Sequence, residues 1–379
     1  MLFSRFFTLG LLASLLLAGW GYLPQGQAAQ SFLVMDKAIT IQADTQTYDA
    51  NKQRSNFNGH VVITSGGMTI RCQQGHVLLD ANNQPQQAFF SGDVVITKAS
   101  DTLTAPQANF NFVRKLFTAE GGVQSTTHAQ GGSSPTVVNS AVQKFDQLSN
   151  QLYAQGNVRI RTQETTAQAN EALLVLNAQQ QAERLKLIGN AHVQQPTGTV
   201  KAQLITLEPQ RDLFTAEGQA HSVFKQANKK PIVLDSQFQQ FDKPANQLLS
   251  SGRVYLEFEQ YVARGPKATF YFKPSASGST EIDHAVFVGR STIREALRQV
   301  TGDVITITAN PQYFDARGNV KTILVQEKKK EQATTAPVAQ GSTRTKASVA
   351  TTPPANPALA VAPSHRLSEE EEFTVDRFQ

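Results

Sequence analysis

Hydrophobic and polar residues alternate along most of this chain, in a pattern that returns together with a glycine. The clearest copies are residues 57–63, 90–96, 153–160 and 249–256. Alternation with a period of two residues is typical of β-strands with one buried face, and these segments are rich in Val, Ile, Phe and Thr. The pattern therefore predicts an all-β protein built by stacking one small unit.

The repeat has a short and a long period. Spacings of 33, 29 and 35 residues between successive glycines recur as 33, 29 and 34, so a module of about a hundred residues is repeated. Two strands and two turns fill each short unit, which predicts about 16–18 antiparallel strands. We expect the anchoring glycines to mark turns and bulges where a positive φ is needed; they are Gly59, Gly92, Gly121, Gly156, Gly189, Gly218, Gly252 and Gly289.

The long period divides the chain into modules. We predict a first module over 29–134, a second over 135–231 and a third, shortened one over 232–326. One stretch, 292–300 (TIREALRQV), has a helical pattern. From residue 327 to 379 the composition changes to Ala, Thr, Pro, Ser and Lys, which predicts a disordered tail.

The N-terminal residues resemble an export signal. An apolar run over 6–17 follows Arg5, and small residues at 26–28 suit a signal peptidase, so we predict a cleaved signal peptide over 1–28 and a periplasmic protein. The alternative is an uncleaved inner-membrane anchor over 6–23.

Residues that could carry chemistry are scattered. The sequence contains no HExxH, paired CxxC, GxSxG or phosphate-binding glycine loop, and we predict neither an enzyme nor a metal or cofactor site. The small basic surplus argues against nucleic acid as a partner. Recurring aspartates at 49, 146, 242 and 315 are predicted to cap turns. The single cysteine, Cys72, is expected to be a buried strand residue.

Phenylalanine is the distinctive side chain of the body, because 16 of the 22 lie between Phe57 and Phe314. Most share a strand face with Val, Ile or Leu, which predicts one continuous apolar lining along the stack. The pattern leaves two interpretations open: a closed sandwich core, or two sheets that splay apart into a groove for an apolar ligand.

Short motifs that recur in a fixed order resemble the LptA/OstA-like family. The motif Gly-x-Val-x-Ile is followed about ten residues later by a Thr-x-x-Ala pattern, as at 102–108 and 166–169, and then by a Tyr/Phe-Asp turn. The opening at 39–44 fits the first strand of that family, and the resemblance extends over about residues 36–326. It implies an extended antiparallel OstA-like β-jellyroll with two facing sheets and an interior that holds the acyl chains of lipopolysaccharide.

The resemblance also implies a function: a periplasmic bridge protein that carries lipopolysaccharide or a similar glycolipid along an apolar groove between the inner and outer membranes. Its partners would be LptC-like and LptD-like jellyroll proteins, or further copies of the chain, joined end to end by strand pairing. The alternatives are a membrane-anchored LptC-like component and a non-catalytic envelope scaffold or adhesin with a closed core.

Strict alternation assigns the residues of the groove. The predicted lining is Val61, Ile63, Val94, Ile96, Phe110, Phe112, Val158, Ile160, Leu173, Val175, Val254, Leu256, Phe270 and Phe272. Five basic residues are predicted to contact phosphates at the groove rim: Arg159, Arg161, Arg253, Arg264 and Lys267.

Overall fold

A computed structural model describes residues 39–128, 135–178, 182–225, 230–274, 280–309 and 312–324. The predicted signal peptide and the predicted tail lie outside these ranges. Within them the chain forms twenty β-strands and, apart from one short 3-10 turn, contains no helix. The prediction of an all-β antiparallel fold is confirmed.

The strands are long, and most have eleven or more residues. Their bounds are β1 Thr40–Gln42, β2 Thr45–Asp49, β3 Arg54–Ser65, β4 Met68–Leu79, β5 Pro85–Lys98, β6 Asp101–Asn111, β7 Leu116–Thr127, β8 Thr136–Asp146, β9 Gln151–Arg161, β10 Thr166–Leu176, β11 Ala182–Gln195, β12 Gly198–Glu208, β13 Leu213–Phe224, β14 Ile232–Asp242, β15 Gln247–Phe258, β16 Tyr261–Pro274, β17 Thr280–Glu295, β18 Arg298–Thr308, β19 Tyr313–Arg317 and β20 Lys321–Leu324. The 3-10 turn is Pro209–Arg211.

Each strand from β3 to β18 pairs antiparallel with the next strand along the chain. At one edge β1 and β2 both pair with β3, and at the other β19 and β20 both pair with β18. Each edge pair is one pass of the chain with a break in it, so the twenty strands make eighteen passes. This agrees with the predicted 16–18, and the hydrogen bonding joins all of them into a single sheet.

All eight anchoring glycines have a positive φ, between +74° and +93°. They do not lie in the hairpin turns. Each interrupts the middle of an odd-numbered strand at a bulge; Gly59 and His60, for example, lie opposite the single residue Gln73 of β4. The residue after the glycine also has a positive φ at His60, Asp93 and Asn157. Polar residues recur there because His, Asn and Asp adopt this conformation more readily than most side chains.

The bulges are aligned from strand to strand and form one crease across the sheet. A bulge bends its strand, and the same bend on every second pass folds the sheet along this line. The last pass is creased too, since Gly318 and Asn319, with φ of +69° and +48°, separate β19 from β20. The sequence analysis did not include this ninth glycine among the anchors.

The crease divides the sheet into two halves, which we name wall A and wall B. On β15, Gln247–Ser251 belong to wall A and Val254–Phe258 to wall B; β19 lies in wall A and β20 in wall B. The walls face each other, because the ring of Tyr261 on wall B meets that of Phe314 on wall A with centroids 6.0 Å apart. The two predicted facing sheets are therefore the two halves of one creased sheet.

Hairpin turns at the ends of wall A are capped by aspartate. The Oδ1 atom of Asp49 accepts hydrogen bonds from the backbone N–H groups of Asn51 and Lys52, at 3.0 and 3.2 Å. Asp146 and Asp242 cap the equivalent turns in the same way. The predicted cap is wrong at Asp315, which pairs with the Arg317 guanidinium at 2.7 Å.

The helix-like pattern at 292–300 does not form a helix. Residues 292–295 end β17 and 298–300 begin β18, with a two-residue turn between them. Ala296 takes φ +42° in this turn. Pairing with β16 and with the last pass overrides the helical preference of the Ala-Leu-Arg segment.

Strand pairing continues across the predicted module boundaries, which fall between β7 and β8 and between β13 and β14. The buried side chains form two clusters whose limits differ from the predicted module boundaries. One buried cluster extends from Phe57 to Phe145 and includes Leu176, while the other extends from Ala154 to Ile307. Leu174 packs against both clusters, so the apolar interior is continuous.

Candidate functional site

The space between the walls is the candidate site, and most of the predicted lining points into it. Eleven of the fourteen predicted residues are buried: Val61, Ile63, Val94, Ile96, Phe110, Val158, Ile160, Val254, Leu256, Phe270 and Phe272. Phe112 is half-buried and packs against the first cluster. Their role as a lipid contact surface stays a prediction.

Leu173 and Val175 lie on the other face of β10. The buried side chains of that strand segment are Ala172 and Leu176, with Leu174 packed between the clusters. The register with β9 and β11 shifts between residues 168 and 171. A shift of one residue moves alternate side chains to the opposite face, which strict alternation in the sequence does not anticipate.

The interior is filled by its own side chains where the walls meet between β13 and β17. The void there has a volume of about 10 Å³ and is lined from wall B by Phe224, Ile232, Leu234 and Leu256, and from wall A by Leu248, Phe270, Phe272 and Ile282. Such a space holds about one water molecule. An acyl chain could enter this part of the interior only if the walls moved apart.

Two glutamines connect the walls near the crease. Gln239 on wall A donates from Nε2 to the backbone oxygens of Ala220 and Leu234 on wall B, at 3.3 and 3.1 Å, and its Oε1 accepts from Ser222 at 2.5 Å. Gln143 donates to the oxygen of Val138 at 3.2 Å in the corresponding place. The sequence analysis missed both, although their spacing matches the long period.

Cys72 lies among the buried residues of β4, as predicted. The pKa of its thiol is raised from 9.0 to about 11, and burial is the largest cause of this rise. Thiolate is the reactive form, so two pKa units lower the reactive fraction about a hundredfold at pH 8.

We expect Cys72 to react with a thiol reagent at least about a hundredfold more slowly in the folded protein than in urea. A Cys72→Ser protein with Arg71→Cys is the matched control, because residue 71 is exposed on the same strand. The control should react at a similar rate folded and unfolded. Rapid labelling of native Cys72 would mean that the walls open readily without lipid.

The five predicted phosphate contacts are all exposed. Arg159 and Arg161 alternate with the buried Val158 and Ile160, so they project from the outer surface of wall B. Arg264 is also exposed on wall B, with its guanidinium carbon 5.0 Å from the centre of the Tyr255 ring. Arg253 lies on the crease, and Lys267 is exposed next to it on wall A. A contact with lipid phosphate stays a prediction for these residues.

Both edges of the sheet expose apolar side chains. Tyr48 is 52% exposed at the β2 edge, and Leu324 is 71% exposed at the β20 edge. Each edge strand pairs on one side only within the described part of the chain, so backbone donors and acceptors remain on its outer side.

The described ranges contain neither a metal-binding cluster nor a membrane-spanning helix. No group of three His, Cys, Asp or Glu side chains there comes together as a metal site would require. No helix in these ranges is long and apolar enough to span a membrane.

Comparison with known proteins places these observations in a family context. The family model described as LptA/(LptD N-terminal domain) LPS transport protein matches residues 40–88 and 137–234, which cover β1 to β4 and β8 to β13 with parts of the adjoining strands. No curated protein sequence matches the chain. Among solved structures, LptH of Pseudomonas aeruginosa, titled the LptA homologous periplasmic component of the lipopolysaccharide transport device, is 14% identical. That match has a TM-score of 0.18 and covers 51% of this chain and 98% of LptH.

Proposed function

We propose that this chain, whose jellyroll is of the LptA/OstA-like kind, is a periplasmic bridge protein that binds lipopolysaccharide by its acyl chains and passes it along the interior between walls A and B. The single observation that carries the proposal is the continuous apolar interior between two walls that meet along one crease. No chemical reaction is part of this function.

Affinity for the lipid would come from burial of its acyl chains. Each methylene transferred from water to an apolar interior contributes about 0.8 kcal/mol, so a few methylenes give appreciable affinity without polar recognition. The walls are creased on one side and end in separate hairpins on the other. Hinging about the crease would open the hairpin side and expose the lining to a lipid.

The two edge strands supply the proposed contacts with LptC-like and LptD-like jellyrolls or with a further copy of the chain. An added strand would satisfy the outer backbone groups of β2 or β20 and cover Tyr48 or Leu324. Such pairing would extend the apolar interior from one molecule into the next, which a bridge requires.

The filled interior between β13 and β17 supports a second candidate function, an envelope scaffold whose core stays closed. The two functions differ in whether lipid ever contacts Phe270, which is 1% exposed on wall A.

A photo-reactive phenylalanine analogue at position 270 distinguishes them. We expect it to crosslink to lipopolysaccharide in living cells, because Phe270 faces the interior that the acyl chains would occupy. Thr269 is the matched control, since it is the neighbouring residue on the outer face of the same strand, and it should give at least tenfold less product on a gel probed for lipopolysaccharide. Equal labelling at both positions, or none at 270, supports the closed scaffold instead.

A further inference from the structure

Wall A carries a polar cleft of about 470 Å³ on its outer surface, across β3 to β8. It lies on the opposite side of wall A from the apolar interior. Its volume is in the range of small-ligand sites, about 300–1,000 Å³, but such sites are usually lined by apolar residues. The lining here is mostly amide, hydroxyl and charged side chains, so a polar ligand fits it.

Five amide side chains line this outer cleft: Asn56, Asn58, Gln74, Gln107 and Asn109. An amide offers two N–H donors and a carbonyl acceptor in one plane. Sugar hydroxyls also donate and accept, and adjacent hydroxyls on a ring match the two ends of an amide. The five amides lie on three strands, β3, β4 and β6, and share the outer face of wall A.

One amide oxygen in the cleft is left without a partner. The Oδ1 atom of Asn109 is buried and accepts no hydrogen bond from the described residues. An unsatisfied buried acceptor is destabilising, and a ligand hydroxyl that reached it from the cleft would supply the missing hydrogen bond. Asn56, in contrast, is held in place by the Arg54 Nε atom, which donates to its Oδ1 at 2.6 Å.

An aromatic surface completes the cleft. The rings of His76 and Phe89 are stacked, with centroids 4.6 Å apart and planes inclined by 21°. Burial, together with the nearby charge of Arg54, lowers the pKa of His76, so its imidazole is neutral at pH 7. A neutral stacked pair presents an apolar surface against which the face of a sugar ring can pack.

The charges in the cleft argue against a simple anion site. Arg54 and Lys144 are accompanied by the carboxylate of Glu120. Two cations and one anion leave little net charge, whereas a phosphate site usually gathers several cations around one point.

From the amides, the partnerless Asn109 oxygen and the stacked rings, we infer that the outer cleft of wall A binds an oligosaccharide. This inference does not depend on the proposed lipid function, because the cleft and the interior are on opposite sides of the wall. A separate glycan of the cell envelope, which meets the outer surface of the wall, is the expected source of such a ligand.

Lipopolysaccharide from which every acyl chain has been removed is the probe, because it cannot bind through the apolar interior. Titration calorimetry should detect its binding to the wild-type protein. We expect Asn109→Ala to weaken binding about tenfold, roughly the contribution of one well-placed hydrogen bond. Gln240→Ala is the matched control, since residue 240 lies on the outer face of wall A outside the cleft, and its affinity should change less than twofold.

Hydrogen exchange on the wild-type protein gives a second measurement that needs no variant. Bound saccharide should slow exchange in β4 to β6 and leave β14 to β16 unchanged. The inference is overturned if the deacylated probe does not bind at millimolar concentration, or if Asn109→Ala and Gln240→Ala behave alike. It is also overturned if inorganic phosphate alone binds as tightly and displaces the probe. Failure of the photo-crosslink at position 270 would leave this result unaffected.

Discussion

Replacing Gly156 by alanine should destabilise the folded protein by about 2–5 kcal/mol. Gly156 has φ +83°, a conformation that costs an L-residue about 1–2 kcal/mol. A Cβ at this position would also lie 2.7 Å from the Cβ of Ala141 on the neighbouring strand. Neither methyl group can rotate away, so the backbone of one strand must shift, at a further cost of about 1–3 kcal/mol.

Gly122→Ala is the control for this substitution. Gly122 also has a positive φ, +98°, but an added Cβ there meets no atom within 4 Å. It should lose only about 1–2 kcal/mol from backbone strain. The difference between the two variants, measured from urea denaturation followed by circular dichroism, isolates the close contact at the crease.

A double variant makes the comparison stricter. Ala141→Gly removes the methyl group that opposes residue 156, so Gly156→Ala combined with Ala141→Gly should recover part of the stability lost by Gly156→Ala alone. If Gly156→Ala and Gly122→Ala are equally stable, the crease does not depend on close packing of its glycines, and positive φ alone accounts for the glycine at position 156.

Locking the two walls together should weaken lipid binding at least tenfold. Leu234 on wall B and Leu248 on wall A line the same 10 Å³ void, so cysteines at these positions would face each other across it, and a disulfide between them would join the walls. The background carries Cys72→Ser, which removes the natural thiol. We expect the oxidised protein to bind lipopolysaccharide at least tenfold more weakly than the reduced protein. Excluding two methylenes alone removes about 1.6 kcal/mol, more than the 1.4 kcal/mol of a tenfold change.

The control disulfide joins two strands of the same wall. Gln240 and Leu249 are directly paired between β14 and β15 on the outer face of wall A, so cysteines there restrain the sheet without holding the walls together. Mass spectrometry confirms that each bond has formed, and binding is measured before and after reduction. Unchanged binding by the oxidised Leu234–Leu248 protein would show that lipid does not need the walls to separate, and would contradict the proposed route.

Several features of the fold could be predicted because they are local. Alternation places Val254, Leu256 and Phe270 on buried faces without knowledge of any distant residue. Aspartates such as Asp146 cap turns formed by the next three residues, so the sequence around them is sufficient. The same local method failed at 292–300, where helix preference is weaker than pairing with strands on both sides.

The sequence predicts the backbone conformation of the recurring glycines but not their position within the strands. A recurring glycine indicates a backbone position with positive φ, and all eight have one. The sequence does not distinguish a glycine in a hairpin turn from a glycine in the middle of a strand. Only the strand register shows that the bulges align into a crease, and therefore that the predicted pair of sheets is one sheet folded in two.

The candidate sites were also only partly predictable from the sequence. Alternation identified most of the interior, but it misplaced Leu173 and Val175 because an irregular register shifts the face of β10. It could not show that the interior is filled between β13 and β17, since the separation of the walls depends on the crease and on contacts between distant strands.

The outer cleft was not predicted at all, because its polar residues look like any solvated strand face until strand pairing brings them together. The repeated pattern of the chain thus determines the strands, their inward faces and the positions that must bend, all of which depend on neighbouring residues. The tertiary structure decides what those bends enclose, because enclosure depends on residues far apart in sequence that meet only when the sheet has folded along its line of glycines.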